Sequence, residues 1–193
     1  MNASLQEVRS RNLRTIALLA AIFLIPLVAA FGMYYGGGWR PAASTNHGEL
    51  IHPARPLPRI DAAYPATTFT HAWSLVYIGA GDCDDSCRNA LYVMRQTRLA
   101  LNNDMNRVQR VFVATAGSGA GEFLAREQAG LVVIDATGHN VQALLEQFPD
   151  TERARTIFVV DPLGNLMMRF DARANPRGLR EDLVKLLKLS HIG

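Results

Sequence analysis

The chain has 193 residues, 49% apolar and 19% charged, which is enough to build one buried core and excludes a wholly disordered protein. Its formal charge of +3 is spread over scattered arginines without a dense Lys/Arg block, which argues against a nucleic-acid partner. Two cysteines are too few for a disulfide-stapled scaffold.

Residues 1–14 contain Arg9, Arg11 and Arg14, and no charge follows between Thr15 and Trp39. The stretch 15–35 has the length and apolarity of a single transmembrane anchor, and Tyr34, Tyr35 and Trp39 resemble an interfacial belt. The flanking arginines predict a cytoplasmic N-terminus and an exported C-terminal domain: in a bacterium, a single-pass inner-membrane protein facing the periplasm. A cleaved signal peptide is the alternative, and either reading exports the domain to a compartment where disulfides persist.

Residues 36–70 begin with Gly36, Gly37 and Gly38 and contain Pro41, Pro53, Pro56, Pro58 and Pro65. They are expected to form a semi-extended tether, with His47 and His52 as solvated polar residues.

A globular domain is expected over 71–193. Trp73–Ile78 reads as a strand, followed by a loop holding Cys83 and Cys87 and a helix beginning near Arg88, with Met94 in the core. Val108–Ala114 and 131–134 read as buried strands, separated by a Gly-rich loop and a short helix at about 122–128. Val141, Leu144, Leu145 and Phe148 mark a brief amphipathic helix. Strands 156–160 and 166–170 flank Asp161-Pro162-Leu163-Gly164-Asn165, a hairpin turn. The last helix is capped by Asn175 and opened by Pro176, with Glu181 and Asp182 near its start. The order is βαβαβαββα, an α/β domain with a mixed sheet and helices on both faces. The closing ββα fits a thioredoxin-like fold.

Thiols with three residues between them at a helix start can close a disulfide or hold one Cu(I) ion between them. The helix N-terminus favours thiolate, whereas Asp82, Asp84 and Asp85 disfavour it. The carboxylates thus predict a reducing-type couple or a persistent disulfide rather than a strong oxidant. Gly117-Ser118-Gly119-Ala120-Gly121, followed by a strand ending in Asp135, superficially resembles a dinucleotide loop. Glu122 stands where that motif needs its last glycine, so a flexible loop is expected. Asp171 with Arg169 and Arg173 is expected to form solvated ion pairs.

The C-x-x-x-C of Cys83 and Cys87 and the run from Thr156 to Asn165 resemble the Sco/SenC family of cytochrome c oxidase assembly proteins, over about residues 70–190. The resemblance implies a thioredoxin-like fold and service to the copper centre of a terminal oxidase, by Cu(I) delivery or by reduction of the oxidase's cysteines. It carries Cys83 and Cys87 over both as catalytic thiols and as metal ligands, with copper as Cu(I) and an oxidase subunit or another exported thiol protein as partner. The family has proline after each cysteine, where Asp84 and Arg88 stand here, and a ligand histidine where about Arg153 stands. His139 is the candidate substitute, while His71 and His191 are expected on the surface. Two alternatives stay open: a general exported thiol–disulfide oxidoreductase, and a non-catalytic interaction domain with a structural disulfide.

Overall fold

The computed structural model describes residues 2–36, 45–58, 68–117, 119–137, 141–150, 152–190 and 192, with side chains from Asn12 onward. The chain divides into two units, Met1–Ser44 and Thr45–Gly193. The first contains helix α1, Asn2–Tyr35, within which Pro26 is accommodated. From Asn12 to Tyr35 this helix is long and apolar enough to cross a membrane. Ile22, Phe23, Ile25 and Val28 are all exposed along it, an arrangement suited to lipid rather than to water.

The second unit is built on six strands: β1 (Glu49–Pro56), β2 (Trp73–Gly79), β3 (Val108–Ala114), β4 (Leu131–Asp135), β5 (Thr156–Val160) and β6 (Asn165–Asp171). Their order across the sheet is β1-β6-β5-β2-β3-β4. β2, β3 and β4 run parallel, whereas β5 is antiparallel to β2, and β6 and β1 continue antiparallel. Helices α2 (Asp85–Leu99), α3 (Gly121–Glu127), α4 (Gln142–Leu145) and α5 (Pro176–Leu189) complete the unit.

Strand periodicity sends alternate residues to two cores. Leu75, Tyr77, Phe112, Ile157, Val159 and Met168 pack with α2 and α5 on one face. Val76, Val111, Val113, Phe158 and Leu166 pack with Leu144 and Phe148 on the other. Both faces of the central strands are therefore buried, which is why those strands read as unbroken apolar runs rather than alternating ones. The mixed, doubly covered sheet is the thioredoxin-like arrangement expected from the sequence. At the expected hairpin, Gly164 N–H donates to Asp161 O at 3.0 Å, with Gly164 at φ +87°. The Asp161 carboxylate also accepts from the amides of Leu163 and Asn165.

Four local expectations change. Residues 49–56, placed in the tether because of their prolines, form β1 against β6. The strand tolerates Pro53 and Pro56 because it lies at the sheet edge, where no outer neighbour needs their missing N–H groups. α2 begins at Asp85 rather than near Arg88, because the Asp84 side chain accepts from Cys87 N–H and caps the helix earlier. The first turn of α5 contains no acidic residue. Asp182 lies further along, 3% exposed, where it accepts from the amides of His47 and Gly48 at 2.7 and 2.9 Å.

His47 is consequently no solvated linker residue. Its ring nitrogens lie 3.1 Å from Asp182 and 3.3 Å from Glu181, fastening the start of β1 to α5.

Candidate redox site

Strand β2 ends at Gly79, and four residues later the chain reaches Cys83, which adopts φ +48°. Cys87 lies in the first turn of α2. The two are joined as a disulfide with Cα atoms 5.0 Å apart. Cys83 lies ahead of the Asp84 cap, with its N–H donating to Ala80 O at 3.0 Å, so the pair closes across the junction of loop and helix rather than along one helical turn. Each cysteine is 2% exposed and belongs to the core shared with α2 and α5.

A second loop closes over the first. Thr115 N–H donates to Gly79 O at 2.9 Å, Gly81 N–H donates to Ala116 O, and Ala120 N–H donates to Gly81 O at 3.2 Å. The Asp82 carboxylate accepts from Gly119 N–H at 3.0 Å. The glycines are required by this approach. A Cβ on Gly81 would collide with the backbone carbonyl of Gly117, and one on Gly117 or Gly119 would lie 2.6 or 2.8 Å from the Asp82 carboxylate. The segment expected to be a flexible loop is thus held against the cysteine loop, although Ser118 itself lies outside the described residues. Asp135, weighed as a ribose-binding acid, instead accepts from Thr137 N–H and its hydroxyl at 2.9 and 2.7 Å, and these bonds hold its carboxyl below the usual range.

Arginines surround the disulfide. The Arg88 guanidinium lies 4.4 Å from the centre of the Phe123 ring, and its Nε donates to Cys83 O at 3.3 Å. Arg173 donates to Ser86 Oγ across the gap between the segment before α5 and the first turn of α2. The expected Asp171 cluster is therefore rearranged: Arg169 pairs with Glu49 at 2.7 Å, Arg155 with Asp171 at 3.0 Å, and the Arg173 side chain turns to the cysteine helix. Tyr77, 1% exposed beneath this region, donates to Ala154 O at 3.0 Å. Burial and then the Asp84 carboxylate push its hydroxyl up to about 12, opposed by Arg173.

Arg153, expected at about the position of the family histidine, is engaged with backbone carbonyls. Its guanidinium donates to the carbonyls of Leu145, Phe148 and Pro149 and pairs with Asp150 at 2.6 Å. It staples the end of α4. His71 is exposed, with its ring beside Thr70 Oγ1, and Met94 is fully buried, both as expected. His139 and His191 lie outside the described residues. Among the described residues no group of three or more His, Cys, Asp or Glu side chains could hold a metal ion. Only after reduction of their disulfide would Cys83 and Cys87 offer two thiolates, the donor set of a linear Cu(I) site. Phe123, Arg173 and the Asp82–Gly119 clamp were not recognised from sequence. Arg173 and Asp82 each act across a long sequence separation, and no local pattern marks such a contact.

A paired thiol at the start of the helix that follows a central strand defines a thioredoxin-like thiol protein. The chain belongs to the family described as transmembrane-like, thioredoxin-like, C-terminal domain, whose model matches residues 73–190. No curated protein matches it by sequence. Among solved structures, apo Sco1 from Thermus thermophilus is similar at 18% identity and a TM-score of 0.56, covering 76% of this chain and 99% of that one. Yeast Sco1 with copper bound gives 13% identity and a TM-score of 0.57, covering 77% and 96%. Arabidopsis thaliana ScoI with copper bound gives 14% and 0.50, covering 71% and 98%. The sequence resemblance to Sco/SenC proteins therefore extends to the fold.

Proposed function

We propose that the chain is a membrane-anchored, Sco-like accessory protein that acts through Cys83 and Cys87 in assembling the copper centre of cytochrome c oxidase, chiefly by reducing the partner's cysteines. The observation that carries the reading is the Cys83–Cys87 disulfide between the end of β2 and the first turn of α2. The fold shared with copper-bound yeast and Arabidopsis proteins supports the setting. Arg153's commitment to three carbonyls favours thiol reduction over three-ligand copper carriage.

In the reduced chain, a thiolate of the pair attacks one sulfur of the partner's disulfide. The partner's other sulfur leaves as thiolate and takes up a proton. The second cysteine then attacks the mixed disulfide, releasing the partner as a dithiol and closing Cys83–Cys87. Two electrons pass to the partner, and an exported dithiol reductase, as donor, returns two to this chain. Copper, where carried, is cargo: Cu(I) held by the two thiolates and passed to the partner's cysteines. N-terminal arginines in the cytoplasm and the domain in the periplasm complete the proposed topology.

The test uses the full-length chain in detergent, reduced, mixed with an oxidase copper-centre domain whose cysteines are oxidised. Release of the partner as a free dithiol is expected, abolished by Cys83→Ser and by Cys87→Ser, with the variant that keeps the attacking cysteine stopping at a mixed disulfide and one partner thiol. A Cu(I) titration against a competing chelator runs in parallel, and one-to-one binding lost in both variants would add the cargo role. Inertness in both assays overturns the reading in favour of a structural disulfide.

A further inference from the structure

Ser86, Asn89, Val93 and Gln96 follow helical spacing along one stripe of α2, which starts beside Cys87 and carries no charge. Opposite its far part lie Pro176, Arg177 and Arg180 of α5, and between the helices runs a groove of about 310 Å³ lined also by Tyr92. Tyr92 is 57% exposed, a large aromatic surface left uncovered at the lip of the groove. At the cysteine end, Arg173 reaches across to Ser86.

Arg173, Arg177 and Arg180 are all exposed, and none lies within ion-pair distance of a carboxylate among the described residues. Arg180 donates only to Ala100 O, at 3.3 Å, across the groove. Arg177 also sits in the first helical turn, where the macrodipole disfavours a cation, and no acid offsets it there. Local stability does not account for this placement. Glu181, the nearest acid in sequence, is turned to His47. The groove therefore presents an apolar floor with an uncompensated positive wall, and the stripe of α2 that floors it runs back through Asn89 and Ser86 to the turn that holds Cys87.

We propose that this groove docks the polypeptide segment flanking the partner's reacting cysteine, and that the segment is acidic with an apolar side chain seated against Tyr92 and Val93. The partner's carboxylates meet Arg177 and Arg180, and its sulfur is delivered at the Ser86–Cys87 end. This deepens the thiol-exchange reading and rests on it for the identity of the occupant.

The test measures binding apart from chemistry. A short fluorescent peptide of alternating Glu and Leu, without cysteine, is titrated with the oxidised full-length chain in detergent, beside a matched Lys/Leu peptide. The acidic peptide is expected to bind about tenfold tighter at low salt, and high salt should erase the preference. The double substitution Arg177→Glu with Arg180→Glu should reverse it, with thermal unfolding little changed, because relief of the cation at the helix start offsets the lost Arg180–Ala100 bond. Equal binding of both peptides, or a preference that survives the double substitution, overturns the proposal. So does a chain whose self-association, rather than peptide binding, is lost on substitution, which would assign the groove to a second copy. Failure of the thiol-exchange reading shows separately, as a disulfide inert to dithiothreitol in a chain that still binds the acidic peptide.

Discussion

Asp182 is a buried carboxylate whose every observed bond goes to the segment entering the sheet or to its own helix: His47 N–H, Gly48 N–H, the His47 ring and, at 4.0 Å, Lys185. Removing it strands two amides and a ring nitrogen, so Asp182→Ala is expected to cost about 2–4 kcal/mol in a urea melt. Tyr77 makes a pH-dependent contribution. Its hydroxyl is raised from 10.0 to about 12 by burial, so the folded state favours the protonated form. The stability it contributes is complete below pH 10, where the phenol stays protonated even when unfolded. It falls as pH rises toward 12, because the unfolded chain ionises first. Over that window the native chain should lose roughly 2–3 kcal/mol more than Tyr77→Phe does, measured by paired alkaline unfolding curves. A variant with the same alkaline slope would sink this assignment.

At the scale of elements, the two loops over the disulfide decide how readily it reacts. With both cysteines 2% exposed, exchange needs a local opening, and loosening the Asp82–Gly119 bond beside Cys83 is one such opening. Asp82→Ala removes that bond, worth about 1 kcal/mol, and should speed reduction by dithiothreitol about fivefold with little change in overall fold. An unchanged rate would mean that the clamp does not gate access. The central strands, the hairpin and the Asn175-capped helix were legible from sequence because each is specified locally, by apolar runs, by Pro and Gly, or by a cap. Cys83 and Cys87 were legible as a pair for the same reason. β1 was not, since its prolines signal a tether and only the position at the edge of β6 makes them tolerable. Nor was the role of the glycine loop: Gly81, Gly117 and Gly119 are small because another loop presses on them. Arg153 shows the converse. Sequence suggests only that about this residue stands where the family has its histidine, and the surrounding carbonyls show what the arginine does.

For the whole molecule, the exposed apolar length of α1 and the family match describe a helix able to cross a membrane and a thioredoxin-like domain. The inward-facing N-terminus is proposed from the arginines alone. An alkaline phosphatase fused after residue 193 should be active in a bacterial host, and an inactive fusion would reverse the proposed topology. The pinning of residues 45–56 also bears on how the domain can be detached from its helix. A soluble fragment starting at Thr45 keeps β1, His47 and the ligands of Asp182. One starting at His71, where composition alone would place the boundary, leaves the β6 edge bare and a buried carboxylate unanswered. The longer fragment should be monomeric and melt cooperatively, and the shorter should aggregate. Any protease that sheds this domain intact must therefore cut ahead of Thr45.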